Sequence, residues 1–240
     1  MKIKLLGKNL DDIRPLLSKY DMTECDGNDV DLIVTHGGDG ALLGAQRDFP
    51  DIPKLPIRDA ATAPTCAEHS AELVLEAFVK GKLIMHQTPV LEAVCGDKVL
   101  RGINDLVIHS QEWVSALRYR VSIDGEVYAR EVVGDGLCFT GVHGSTAYYR
   151  SVTRGIFKVG VGLAFFNTTA AVDHLVLPET SVVTIEIIRG PGILVADNDP
   201  CKIPVKVGEK VVFRQTEMRA GIWGLDAFMC ADCRTLRHRK

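Results

Sequence analysis

Val30-Asp31-Leu32-Ile33-Val34-Thr35-His36-Gly37-Gly38-Asp39-Gly40 is the stretch that decides the fold class. Its first half is nearly all apolar, the pattern of a strand covered on both faces in a parallel sheet. Its second half is a glycine turn carrying one carboxylate. A strand that ends in glycines offers bare backbone N–H groups to a phosphate. A carboxylate among bound phosphates has a use if it holds magnesium or takes a proton from an attacking hydroxyl. The plainer reading is a tight turn in which Asp39 caps the next helix.

Working outward, residues 2–6 read as a first strand, and Asn9 as the cap of a helix over 10–20 with Ile13, Leu16 and Leu17 on one face. A helix is expected over 41–47 and a longer one over 67–80, ended by Gly81. On the latter, Glu72, Glu76 and Lys80 form a stripe at i, i+4 spacing. From about residue 84 the period changes to two. Leu117, Tyr119, Val121 and Ile123 alternate with Arg118, Arg120 and Ser122, and Asp124-Gly125 follows as a hairpin signal. Val183, Ile185 and Ile187 repeat the alternation. Helices alternating with strands and then a run of short strands predict two domains. Residues 1–83 form a Rossmann-like or flavodoxin-like α/β domain, and 84–215 an all-β sandwich.

Composition narrows the function. The 240 residues are 46% hydrophobic and 25% charged, with a formal charge of -3, which offers no broad field for nucleic acid. The basic end over 234–240 is short and reads as a solvated tail. No signal peptide and no run of about 18 apolar residues is present, so a cytoplasmic location without membrane contact is expected. Seven cysteines scattered through apolar segments read as small buried side chains rather than a disulfide framework. Cys230-Ala231-Asp232-Cys233 is an isolated CxxC; a zinc site needs two more ligands, and only His238 is near in sequence, so no metal site is assigned.

Two further segments add to the glycine turn: Gly134-Asp135-Gly136 and Gly144-Ser145-Thr146-Ala147-Tyr148, with Asn104-Asp105 before them. In this order the pieces resemble the NAD kinase family, whose pattern runs GGDG, an Asn-Glu pair, then GDG...GSTAY. Val172-Asp173-His174-Leu175-Val176-Leu177-Pro178 also fits, so the resemblance spans about residues 31–213. It implies transfer of the γ-phosphate of ATP, or of polyphosphate, with Mg2+, to the 2′-hydroxyl of the adenosine ribose of NAD, giving NADP. Asp39 would orient or deprotonate that hydroxyl, and the amides of Gly37, Gly38 and Gly40 would cradle phosphates. Asn104 and Asp105 would bond the nucleotide, and Asp135 the nicotinamide end of NAD. Thr146, Ala147 and Tyr148 would line the nucleotide pocket, with Ser151 as a polar contact and His143 replacing a small residue beside it. The resemblance further implies a homodimer or homotetramer with the site shared across subunits, and a chain that returns over 216–240 to complete the first domain.

The chain departs from the pattern at three places. Ala41 stands where the family has Thr, Asp105 where it has Glu, and Leu55-Pro56-Ile57-Arg58-Asp59-Ala60-Ala61-Thr62-Ala63-Pro64-Thr65 where it has a Gly-Ile-Asn loop. Two other functions therefore stay open: an NAD-binding sensor that has lost turnover, and a lipid or sphingoid-base kinase, which shares the GGDG loop. His36 is a further possible phosphate contact, although a histidine at a strand end is ordinarily a satisfied polar residue.

Overall fold

A computed structural model describes residues 1–112 and 114–238, the last two by backbone alone. In chain order the elements are β1 (Lys2–Gly7), α1 (Arg14–Lys19), β2 (Thr23–Glu24), β3 (Leu32–His36), α2 (Asp39–Asp48), β4 (Lys54–Ile57) and α3 (Ala71–Val79). Then follow β5 (Met85–Cys95), β6 (Lys98–Gly102), β7 (Asp105–Ser110), β8 (Leu117–Ile123), β9 (Glu126–Gly134), β10 (Gly136–Thr140) and α4 (Tyr148–Thr153). The last are β11 (Val161–Phe166), β12 (Leu175–Leu177), β13 (Val183–Arg189), β14 (Gly192–Ala196), β15 (Ile203–Val205), β16 (Lys210–Trp223), α5 (Leu225–Phe228) and α6 (Ala231–His238). The chain divides into two compact units, Met1–Thr88 with the chain from Ala220 onward, and Pro89–Arg219.

The first unit is α/β. β2, β1, β3 and β4 lie side by side in that order, all parallel, and the end of β16 joins β4 where Ile222 faces Lys54. Every residue of β3 is buried, because helices cover both faces of a parallel sheet. Ile3, Leu32, Val34, Leu55 and Ile57 form one buried cluster with Ile13, Leu17, Val74 and Leu75. Each such side chain contributes about 1.5–3 kcal/mol by leaving water.

Two helices differ from the sequence reading. The segment 10–20 forms a 3-10 turn, Leu10–Asp12, and then α1, because Pro15 lacks an N–H and fits only a first helical turn. Asn9 does not cap it. That residue sits at φ 50° and its side-chain amide donates to Asp59. The segment 67–80 likewise breaks at Ser70, which adopts an extended conformation and accepts the Leu73 N–H on its hydroxyl at 3.4 Å, so α3 starts only there.

The second unit is all β with one short helix. One sheet runs β12-β11-β10-β7-β14-β15, and in the other β16, β13, β8 and β9 are neighbours, with β5 pairing β6 and β16. Leu117, Tyr119, Val121, Val183, Ile185 and Ile187 turn inward and are at most 1% exposed. Arg118 and Arg120 point outward to Glu131 and Glu186. Asp124 and Gly125 both have positive φ, 51° and 87°, as a two-residue hairpin of the observed twist requires. Glu92 is buried but held between Arg101 at 2.7 Å and Arg214 at 2.6 Å. No helix among the described residues is long and apolar enough to cross a membrane.

Candidate functional site

The glycine turn of the first unit delivers Asp39 to the head of α2. Gly38 is the N-cap, extended at φ -96° and ψ -167°, and Asp39 is the first helical residue, with no side-chain cap bond. The capping role open to Asp39 from sequence is thus taken by Gly38. The Gly37 N–H is not offered to a ligand, since it donates to the Ile57 carbonyl at 2.9 Å. Asp39 is half exposed, and its Oδ1 accepts from Arg58 Nη2 at 3.0 Å. Arg58 itself is buried. Its Nε and Nη2 donate to the Phe228 carbonyl at 3.3 and 3.1 Å, and its guanidinium lies 3.6 Å from the centre of the Phe228 ring. A guanidinium held by stacking and a carbonyl has little rotational freedom left, so the Asp39 carboxylate is aimed rather than merely paired.

Around that pair the loop is tied down. Asp59 accepts from Asn9 Nδ2 and Thr62 Oγ1 at 2.9 Å and from the Ala61 N–H at 3.0 Å. Burial pushes its pKa up, but the bonds from Thr62, Ala61 and Asn9 outweigh it and leave the carboxyl below its ordinary value. His36 is buried and donates from Nδ1 to the Lys8 carbonyl at 2.8 Å, the satisfied-polar role.

In the second unit the Asn104-Asp105 turn rests on a residue the sequence reading passed over. The Asp197 carboxylate accepts three successive N–H groups, from Ile103, Asn104 and Asp105, each at 2.9 Å. The Asn104 carbonyl in turn accepts from Thr140 Oγ1 at 2.7 Å and the Gly141 N–H at 3.3 Å. Gly144 comes so close that a Cβ there would overlap the Asn104 carbonyl oxygen, which explains the glycine of the GSTAY motif and joins it to the Asn-Asp turn. Asp105 is 8% exposed. Burial first, and the nearby Asp197 second, push its pKa to about 7. Burial also raises Asp197, against the pull of its three N–H donors.

Asp135 opens on a different feature. A cavity of about 460 Å³ is lined by Asp135, Tyr148, Ser151, Asn167, His109 and Phe166 among others. Asn167 donates to Asp135 Oδ2 at 2.8 Å, and Tyr148 and His109 share a hydrogen bond of 3.0 Å. Both rings stack on Phe166, with centroids 4.8 and 4.9 Å away. Burial lowers the His109 pKa, which favours the neutral imidazole in this stack. A second hollow of about 450 Å³ shares His109 and Asp135 and adds Ser110, Glu112 and Lys202. Gly136, at φ 142°, passes so close to the Ile108 carbonyl that no side chain fits, and this sets Asp135 at the mouth.

The fold therefore brings Asp135, Tyr148 and Ser151 to one cavity and packs Asn104 against Gly144. His143 and Thr146 begin and end the 3-10 turn, and Ala147 links it to α4; none of the three lines the cavity. The Ser151 hydroxyl donates to the Tyr148 carbonyl at 2.7 Å. Sequence reasoning missed Arg58 as a partner of Asp39, Asp197, and the His109, Phe166 and Asn167 wall. In the sequence Arg58 stands out only as part of the segment that departs from the family pattern, and lone residues at strand ends carry no periodic signal. The cysteines correct the reading too. Cys201 is exposed and Cys25, Cys66 and Cys230 are half buried. The ligands missing from Cys230-x-x-Cys233 are not sought at His238, whose side chain lies outside the described residues, because Cys66 and His69 stand beside the pair.

No family model matches the chain. The NAD kinase of Escherichia coli O1:K1 is 26% identical over 205 residues, 80% of this chain and 70% of that protein. The NAD kinase of Methanothermobacter thermautotrophicus is 27% identical over 204 residues, 80% and 71% of the two chains. Among solved structures, yeast NADH kinase complexed with NADH superposes at a TM-score of 0.74 with 18% identity, covering 93% of this chain and 82% of that one. An NAD kinase from Archaeoglobus fulgidus in complex with ATP gives 0.75 with 16% identity over 98% and 99%. The ordered motifs, the two-unit α/β and β architecture and these relatives agree: the chain is similar to NAD kinases in sequence and in fold.

Proposed function

We infer that the enzyme transfers the γ-phosphate of ATP to the 2′-hydroxyl of the adenosine ribose of NAD. The ribose oxygen attacks the γ-phosphorus, the bond to the β,γ-bridging oxygen breaks, ADP leaves, and Asp39 receives the hydroxyl proton. One observation carries this reading: Asp39 is a half-exposed carboxylate at the head of a ten-residue helix, aimed by a buried arginine and free of any capping duty. Phosphates are favoured at that helix end by its dipole. Magnesium would arrive on the donor's phosphates and neutralise their charge, and an exposed carboxylate beside a helix N-terminus suits such a complex. Asp135, Tyr148 and Phe166 would receive the nicotinamide end, an aromatic plate with a carboxamide that Asp135 and Asn167 can bond.

The same observations weigh against the alternatives. The rewritten segment that favoured a silent sensor supplies Arg58, which positions Asp39. A lipid kinase needs an apolar channel at its acceptor site, whereas Asp135, Asn167, Thr168 and His174 line the cavity assigned to the acceptor, and the apolar hollow of about 650 Å³ at Val142, Val159, Val176 and Leu177 shares none of its residues.

The test is NADP formation from NAD and ATP, with NADH and polyphosphate in parallel arms. Asp39→Asn is expected to keep its circular dichroism spectrum and lose about 10²–10⁴-fold in turnover. Near-normal turnover in that variant would remove Asp39 from the chemistry, and NAD binding with no turnover in the unmodified enzyme would favour the sensor.

A further inference from the structure

Four side chains in the first unit, distant in sequence, converge without any part in the chemistry above. Cys66, His69, Cys230 and Cys233 each offer one ligand atom, and the four atoms all lie within 4.8 Å of one another. Cys66 Sγ is 3.2 Å from His69 Nδ1 and 3.4 Å from Cys233 Sγ, and Cys233 Sγ is 3.7 Å from His69 Nδ1. A tetrahedral zinc with Zn–S of about 2.3 Å and Zn–N of about 2.1 Å places sulfurs about 3.8 Å apart and sulfur and nitrogen about 3.6 Å apart. The three separations measured among Cys66, His69 and Cys233 fall within about 0.4 Å of those values. They do not match a disulfide, whose sulfurs lie about 2.05 Å apart.

The local structure is also that of a metal knuckle. Cys66 and His69 bracket a single 3-10 turn, Ala67–His69, and Cys230 and Cys233 bracket the start of α6. Each pair has two intervening residues, the short spacing that lets both side chains reach one ion. The Cys66 N–H donates to Cys233 Sγ at 3.2 Å, the kind of outer bond that stabilises a coordinated thiolate. Three cysteines and one histidine complete a tetrahedron and leave no position for water or substrate, so the site is structural rather than catalytic.

We propose that Cys66, His69, Cys230 and Cys233 bind one zinc ion that clips the end of the chain to the loop between β4 and α3. The clip has a consequence for the neighbouring pair. Phe228, two residues before Cys230, supplies the ring and the carbonyl that hold Arg58, which holds Asp39. Zinc would thus keep the arginine clamp assembled. The metal site stands on its own geometry, whatever nucleotide the enzyme phosphorylates.

The test uses the full chain, purified under reducing conditions from zinc-supplemented cells. Elemental analysis is expected to find one zinc per chain, released by a mercurial and detected with a chromogenic chelator. Cobalt(II) added to the stripped protein is expected to give the intense visible bands of a tetrahedral thiolate site. Cys66→Ser and His69→Ala should each weaken cobalt binding about tenfold or more and change the spectrum, while Cys201→Ser, at an exposed thiol outside the cluster, should leave both unchanged. Removing zinc should also lower Tm. The proposal is overturned by metal-free protein that binds no cobalt, by Cys66→Ser and His69→Ala binding as the unmodified chain does, or by a Cys66 to Cys233 disulfide in protein that carries no metal.

Discussion

Asp105 gives the sharpest quantitative test of the site, because its environment fixes both the sign and the size of a pH effect. Its folded pKa is raised from 3.8 to about 7, chiefly by burial and further by Asp197. Between those two values the folded chain retains a proton that the unfolded chain has released. The contribution of this group to stability is therefore present in full below pH 3.8 and is lost as pH climbs through about 7. The loss amounts to about 4 kcal/mol, at 1.36 kcal/mol for each pH unit separating the two values. Asp105→Asn keeps the size and polarity of the protonated acid, cannot ionise, and offers Asp197 an N–H donor. The variant should match the unmodified chain near pH 4 and exceed it at pH 8 by up to about 4 kcal/mol. With a urea dependence of about 2–3 kcal/mol per molar, the midpoint at pH 8 moves up by about 1–2 M. Urea unfolding of both proteins, followed by circular dichroism at one-unit steps from pH 4 to 8 at constant ionic strength, reads the difference directly. A difference that stays flat with pH, or a variant that is weaker at pH 8, would refute the argument that a carboxylate is being held where its charge is disfavoured.

Gly144→Ala places a methyl group against the Asn104 carbonyl and Thr140 Oγ1; a Tm lowered by about 6–12 °C is expected, and an unchanged Tm would mean the two motifs do not touch. Arg58→Lys replaces a stacked fork by a single ammonium that cannot serve both Asp39 and the Phe228 carbonyl. NADP formation should fall about 10–100-fold with the fold retained, and full activity would show that Asp39 needs no clamp. Lys54 is fully buried, donates to the Phe49 carbonyl at 2.6 Å, and has its pKa lowered by burial to about 8. Since the folded value lies below the unfolded one, stability should rise by about 3 kcal/mol as pH goes from 8 to 10.5. Lys54→Met should flatten that rise over pH 8–10, and an equal slope in both proteins would contradict the burial of the charge.

Periodicity and turn chemistry determined much of this molecule from sequence. The unbroken apolar run at 32–35 demanded a strand covered on both faces, alternation at 117–123 demanded a half-wet antiparallel one, and Asp124-Gly125 demanded positive φ. Those are short-range properties, set by side-chain direction every second residue and by the backbone angles that a glycine or aspartate tolerates. They also placed Asp39 in a glycine turn. What tertiary structure alone decided is what each of those residues meets. Arg58 reaches a carbonyl 170 positions away, and Asp197 supports a turn 92 positions before it. Cys66 and Cys233 approach across 167 residues. Such meetings leave no local period, because strand order in the two sheets, rather than spacing along the chain, sets them. For that reason the motif predicted the carboxylate, and only the fold disclosed the arginine that aims it and the convergence of Cys66, His69, Cys230 and Cys233.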